Sequence, residues 1–323
     1  MINVLANDGI SQAGIDSLKT NGFNIVTEKI AQKDLIDKIN IENYQVLLVR
    51  SATTVRKDLI DACPKLKIIG RGGVGMDNID VDYAREKGLK VINTPTASSA
   101  SVAELVFAHL FGMVRFLYAS NREMPMEGDT HFKGLKKSFA RGRELAGKTL
   151  GIIGFGRIGQ EVAKRAIGLG MKIIANDKFI DKANITLEFF NGDKKSFTIE
   201  TESLKVVLKN SDFITLHIPK DGGKSIIGAE EIGMMKTGAG IINAARGGVI
   251  DETALMFALD KEKLAYAGLD VFENEPNPSI HLLMHGAVSL TPHIGAATLE
   301  AQDRIGTELA KQICAYFNKQ KWQ

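Results

Sequence analysis

The sequence predicts an α/β fold made of two doubly wound parallel sheets. Three observations carry this. Short Val- and Ile-rich runs alternate with amphipathic helical patterns from end to end. Several of those runs are apolar at every position, as strands covered on both faces require. The 32 Gly against 7 Pro suit many tight strand-to-helix turns. At about 150 residues per domain, 323 residues give two domains.

In chain order, the first strand-like runs are 2–5, 23–26, 46–49, 68–70 and 89–92, with helical patterns at 12–20, 33–40 and 81–87 between them. Residues 98–120 are long, apolar and free of glycine except Gly112, so they read as one helix bridging two series. Residues 121–147 are polar, carry several Lys and Arg, and read as loop. A second series follows at 149–153, 172–175, 213–216, 240–242, 266–269 and 288–290. A sheet of about five strands is therefore expected before one of about six. Residues 185–199 (ITLEFFNGDKKSFTI) interrupt the alternation; NGD between two β-rich runs predicts a hairpin on the rim. The last amphipathic helix, 298–318, has no strand after it and is expected to return to the first domain.

Composition excludes several classes of function. Lys and Arg number 41 against 38 Asp and Glu, a net charge of +3 without like-charge blocks, which favours neither a nucleic-acid nor a membrane partner. Two cysteines, Cys63 and Cys314, make no disulfide framework and point to a reducing, cytoplasmic setting. The N-terminus does not read as a signal peptide, and no run of about 18 apolar residues is present.

The sharpest motif is Gly154-Phe155-Gly156-Arg157-Ile158-Gly159, after the apolar run TLGII and before the helix pattern GQEVAKRAIGLG. Gly154 permits a tight turn, Gly156 lets backbone approach a pyrophosphate, and Gly159 lets helix and strand pack closely. The free N–H groups of the helix start then bind the anion. The next strand ends in Asp177, placed to accept the ribose hydroxyls and to repel a 2′-phosphate, so NAD is expected over NADP.

Of six histidines, His281 and His285 stand four apart. No third ligand pattern accompanies them, and they read as a solvated helix face rather than a metal site. His293 sits in LTPHIG just past a buried-strand pattern, where open α/β sheets bind ligands. Arg246 follows the run IINAA, and Glu275 follows LDVFEN. Reversible hydride transfer at a 2-hydroxy acid needs a cation on the carboxylate and carbonyl, an acid/base for the hydroxyl proton, and a carboxylate to orient that acid/base. Arg246, His293 and Glu275 match those needs in that order. Position alone leaves each a structural reading as well: an enclosed histidine, a surface ion pair, and a helix-start acid before Pro276.

With these residues in view, the chain resembles the D-2-hydroxyacid dehydrogenase family over almost its whole length. The motifs that carry the likeness are VRSATTV, GRGGVGMDNIDVDYAREKGLKVINTP, SVAEL, GKTLGIIGFGRIG, NAARGGVIDE, GLDVFENEP and TPHIGAAT. Within the family it is most similar to the 3-phosphoglycerate dehydrogenases. The resemblance implies a Rossmann-type NAD-binding domain, 98–299, inserted in a flavodoxin-like substrate domain, 1–97 with 300–323. It implies catalytic roles for Arg246, Glu275 and His293. Cofactor positions fall on Val74, Arg157, Ile158, Asp177, Ile218, Ala244, Asp270 and Ala296, besides the three glycines. Substrate positions fall on Arg50, Ser51, Arg71, Gly73, Val74 and Arg246, with Arg50 and Arg71 as phosphate ligands.

The activity so implied is NAD-dependent oxidation of 3-phospho-D-glycerate to 3-phosphohydroxypyruvate, the entry to serine synthesis, with domain closure excluding water and the 98–120 region as a homodimer contact. Alternatives are a glyoxylate or hydroxypyruvate reductase, and a non-catalytic co-repressor that senses dinucleotide. Three features depart from the family pattern. Ile218 stands where Thr is common, the 185–199 hairpin is long, and the chain stops at Gln323. That last feature leads us to expect no serine feedback through a C-terminal extension.

Overall fold

Both expected sheets are present, and both are wholly parallel. The computed structural model describes residues 1–220 and 223–318 in full and the backbone of 319 and 320. The last three residues of the expected substrate domain, 321–323, lie outside the described residues. The chain divides into two compact units, Met1–Ser99 with Ala296–Gln323, and Ala100–Gly295.

The first unit holds β1 (Ile2–Ala6), β2 (Phe23–Val26), β3 (Tyr44–Val49), β4 (Ile68–Arg71) and β5 (Lys90–Asn93) in the order β2-β1-β3-β4-β5. The order reverses between β1 and β3, so the loops after β1, β3 and β4 flank a switch point, where such sheets bind ligands. Val4, Leu5, Val46 and Leu47 are fully buried because helices cover both faces. The C-terminal helix Leu299–Gln320 belongs to this unit. Its residues Ile305, Leu309, Ile313 and Phe317, each four apart, fill one face of the core with Val4, Leu48 and Ile92. It crosses the helix Gln12–Thr20 at a pair of glycines: a Cβ on Gly14 would lie 2.8 Å from the Cα of Gly306.

The second unit holds β6 (Thr149–Ile153), β7 (Lys172–Asn176), the hairpin β8 (Lys182–Glu188) and β9 (Lys194–Glu200), then β10 (Phe213–Leu216), β11 (Ala239–Asn243), β12 (Leu264–Leu269) and β13 (Val288–Leu290). The main sheet runs β13-β12-β11-β10-β6-β7. Every residue of β10 and β11 is buried, which is why these runs show no alternation. The hairpin forms as expected, extended to 182–200, with Gly192 at φ +87° in its turn. Thr201, just beyond it, makes one parallel bridge to Ala175 of β7. That bridge lies beyond β7, at the sheet position of the third strand in a doubly wound half.

Two expectations are corrected. Residues 98–120 are not one helix. A first helix, Ser99–Val114, ends, and a second, Leu117–Glu127, leaves it at 55°. The break falls at Phe116, whose backbone is left-handed (φ +53°) and whose ring packs on Phe139, 6.0 Å between centroids. Residues 121–147 are also not simply loop, since they hold the end of that second helix and the helix Phe132–Ser138. The helix Leu117–Glu127 buries none of its residues and contains Pro125, so its sequence has no apolar stripe to read. Among the described residues, no single helix is long and apolar enough to cross a membrane.

Candidate active site

Two of the three glycines in the turn stand where backbone comes too close for a side chain. Gly154 ends β6 at φ +92°, and a Cβ there would lie 2.5 Å from the carbonyl oxygen of His217. A Cβ on Gly159 would lie 2.2 Å from the carbonyl oxygen of Gly154, so only glycine lets the helix Arg157–Gly168 sit this close to β6. Gly156 differs: a Cβ there would meet nothing within 4 Å. It is the N-cap of a 12-residue helix, and no side chain caps that end. The N–H groups of Arg157 and Ile158 begin this helix, where anions are favoured.

Asp177, one residue past β7, accepts from Phe155 N at 2.6 Å through one oxygen and from Phe179 N and Ile180 N through the other. It therefore shapes the turn after β7 and ties the glycine turn to that strand end. Across the switch point, His217 and Ile218 follow β10. The Nε2 of His217 pairs with Thr215 Oγ1 at 3.0 Å. Its Nδ1 is buried with no hydrogen-bond partner among the described residues, and burial pushes the imidazole pKa down to about 3. A neutral imidazole with one open nitrogen, an uncapped helix start and an unobstructed Gly156 fit a dinucleotide laid across the ends of β6 and β10.

The ends of β11, β12 and β13 carry the three proposed catalytic side chains. Buried Asn243 shapes the loop holding Arg246: its amide donates to Arg246 O and its oxygen accepts from Ala245 N. Ala244 is buried beside it. Arg246 Nη1 donates to Ala245 O at 2.7 Å. Gly247 then presses this loop on the next, since a Cβ there would lie 1.7 Å from Phe272 O. Glu275 holds that second loop through Phe272 N (2.9 Å to Oε1) and reaches His293 Nδ1 with Oε2 at 2.8 Å.

His293 has φ +55°, rare for a residue with a side chain. Buried Asp270 over-determines it: its two oxygens accept from Thr291 Oγ1 (2.7 Å), Ile294 N and Gly295 N (both 2.8 Å). Glu252 lies close by. Its carboxyl is pushed up by burial, against a hydrogen bond from the Glu273 backbone and with the negative charges of Glu273 and Glu275.

The loops after β1, β3 and β4 carry the residues expected to bind substrate. Asp8, which the sequence reading missed, is their anchor. It accepts from Arg50 N at 2.7 Å, Thr53 N at 3.0 Å and Thr53 Oγ1 at 2.7 Å, and pairs with Lys29. Burial raises its pKa, but hydrogen bonds from Lys29, Thr53 and Arg50 outweigh that and hold it below the usual carboxylate range. Asn78 donates to the carbonyls of Arg50 and Thr53 from the other side. Ser51 is exposed on this loop. Arg71 lies over Gly73, where a Cβ would come within 1.8 Å of its Nη1. Val74 is 38% exposed, with its carbonyl held by Asn93. Ala296 O accepts from Gln302 Nε2.

His281 and His285 do not share a solvated face. His281 is exposed on a five-residue helix, whereas His285 caps that helix, accepts from Ala287 N and pairs with Asp260 at 3.4 Å.

Known proteins give this arrangement a context. The model for the D-isomer specific 2-hydroxyacid dehydrogenase NAD-binding domain matches residues 107–295. The chain is 45% identical over 314 residues to a hydroxypyruvate reductase of Thermotoga maritima, covering 96% of each. It is 43% identical over 317 residues to a D-3-phosphoglycerate dehydrogenase of Methanocaldococcus jannaschii, 97% of this chain but 57% of that protein. The solved 3-phosphoglycerate dehydrogenase of Entamoeba histolytica, with NAD+ bound, superposes with a TM-score of 0.76 at 29% identity, covering 98% of this chain and 95% of that one. Glycine turn, acid–imidazole pair and domain match agree: this chain is a member of the D-isomer specific 2-hydroxyacid dehydrogenase family, with NAD as its cofactor.

Proposed function

We propose that the chain oxidises 3-phospho-D-glycerate to 3-phosphohydroxypyruvate. The observation that carries the chemistry is the His293–Glu275 pair, at 2.8 Å, at the carboxyl end of the second sheet. With Nδ1 committed to Glu275, Nε2 of His293 is the atom that takes the proton of the C2 hydroxyl. Glu275 stabilises the imidazolium so formed. The Arg246 guanidinium holds the substrate carboxylate and polarises the C2 oxygen. NAD, when bound, would supply the acceptor for the hydride leaving C2. In the reverse direction the same Nε2 returns the proton to the developing alkoxide.

Gly154, Gly156, Gly159, Arg157 and Ile158 would hold the pyrophosphate, and Asp177 the adenosine ribose hydroxyls, which favours NAD over NADP. Ile218, Ala244 and Asp270 of the second unit, and Val74 and Ala296 of the first, are the remaining positions assigned to the cofactor. Arg50 and Arg71 would recognise the phosphate, with Ser51, Gly73 and Val74 offering hydroxyl and backbone groups near the carboxylate. Phe111, Leu117 and Tyr118 are exposed apolar side chains within 98–120, which supports a homodimer through this region. Both cysteines are free, which supports a reducing, cytoplasmic setting.

A second reading, reduction of hydroxypyruvate, is favoured by the Thermotoga maritima relative. The test is a substrate panel followed by NADH absorbance. Replacing Arg50 or Arg71 by Ala raises KM for the phosphorylated acid at least about 10-fold more than for hydroxypyruvate. Equal losses on both substrates remove the phosphate assignment. No turnover on any 2-hydroxy or 2-oxo acid favours a dinucleotide-sensing role instead.

A further inference from the structure

His109 has no part in the chemistry above, yet it is buried and bonded at both ring nitrogens. It lies on the helix Ser99–Val114, over Gly268 of β12, where a Cβ would come within 3.0 Å of its own. Its Nδ1 is 2.8 Å from Ser289 Oγ, and its Nε2 is 3.0 Å from Thr291 Oγ1. Thr291 Oγ1 in turn lies 2.7 Å from Asp270 Oδ1.

Donor counting settles the direction of this chain. A carboxylate only accepts, so the single hydroxyl proton of Thr291 goes to Asp270. The Thr291 oxygen must then accept from His109, which places the ring proton on Nε2. Nδ1 is left to accept from the Ser289 hydroxyl. Burial lowers the imidazole pKa and the charge of Asp270 raises it; the net shift is downward, which suits the neutral ring.

We propose that His109 is a positioning residue for His293. Held as the neutral Nε2–H tautomer, it fixes the Thr291 hydroxyl on Asp270. The Asp270 carboxylate fixes Ile294 N and Gly295 N, and those two bonds hold the left-handed backbone that aims His293 at Glu275. The consequence rests on the reading of His293 as the proton-transfer residue. The bonding chain does not.

The test uses the full-length protein. In nitrogen-15 NMR of the ligand-free chain, His109 shows the neutral Nε2–H pattern. His109→Leu lowers kcat about 10-fold or more, with KM for NAD and for the 2-hydroxy acid changed less than about 2-fold, and it moves the midpoint of the His293 imidazole titration by about half a pH unit or more. His109→Gln, whose amide N–H can reach Thr291, restores both; His109→Asn, which can serve only Ser289, does not. Thr291→Val cuts the same chain one link later and serves if His109→Leu does not fold.

A proton on Nδ1 overturns the proposal. So does a His109→Leu protein that leaves kcat and the His293 titration unchanged, or one in which Gln and Asn behave alike. If instead His293→Ala retains turnover while His109→Leu still moves the His293 titration, the reading of His293 fails and the positioning chain stands.

Discussion

Glu275 binds His293 with one oxygen and the backbone of its own loop with the other: Oε2 lies 2.8 Å from His293 Nδ1, and Oε1 accepts Phe272 N at 2.9 Å. The carboxylate is thus held before it holds the imidazole, which fixes the ring tautomer with Nε2 outward. Glu275→Gln keeps an acceptor for Phe272 N but removes the charge opposite the imidazolium. We expect kcat/KM to fall about 10- to 100-fold with the urea midpoint nearly unchanged. Steady-state rates and denaturation on the same preparation check this; loss of fold with loss of rate would assign Glu275 a structural role.

The glycine turn separates function from folding at neighbouring positions. Gly156→Ala places its methyl in open space, so the protein folds normally while the dinucleotide loses its close approach, and KM for NAD rises about 10-fold or more. Gly159→Ala drives a methyl to 2.2 Å from Gly154 O, so that protein loses about 2 kcal/mol or more of stability. Thermal denaturation and NAD titration of the two variants should give opposite patterns.

Asp8 links a buried charge to the Arg50 loop. Asp8→Ala leaves Arg50 N and Thr53 N without their shared acceptor, which costs about 2 kcal/mol. KM for the phosphorylated substrate rises with it, because Arg50 N loses its anchor. The native carboxyl sits below its ordinary pKa, so its contribution is complete above the ordinary carboxylate range and is lost as pH falls through the lowered folded-state value. Urea midpoints from pH 6 down to pH 3 should fall less steeply in the variant.

His217 sets an acid limit on the second unit. Its pKa drops from the ordinary 6.5 to about 3 on folding, so the unfolded chain binds a proton that the folded chain refuses. The contribution is complete above pH 6.5 and falls as pH drops towards 3, by about 2 kcal/mol between pH 6.5 and 5. His217→Asn should flatten this part of the stability profile in chemical denaturation. An identical slope in variant and parent would show that the imidazole titrates in the folded state.

The sheets were legible because buried parallel strands are nearly continuous apolar runs, as 149–153 and 213–216 show by matching their observed bounds. The glycine turn was legible because its spacing sets a helix start directly after β6, where Gly154 and Gly159 answer close backbone contacts. The helix Leu117–Glu127 was not, because none of its residues is fully buried and so it has no apolar period to display. Asp8 and His109 were also hidden. Each acts through hydrogen bonds to residues far along the chain, and an isolated Asp or His in sequence carries no mark of its partner. The bend at Phe116 comes with a ring contact to Phe139, 23 positions on, which no local pattern encodes.

The most direct test of the central claim is turnover by His293→Ala beside the parent protein, followed as NADH absorbance with NAD and 3-phospho-D-glycerate, with NAD affinity measured separately by fluorescence. A loss of about 100-fold or more in kcat with unchanged NAD affinity is predicted. A variant that turns over within about 3-fold of the parent would contradict proton transfer by His293.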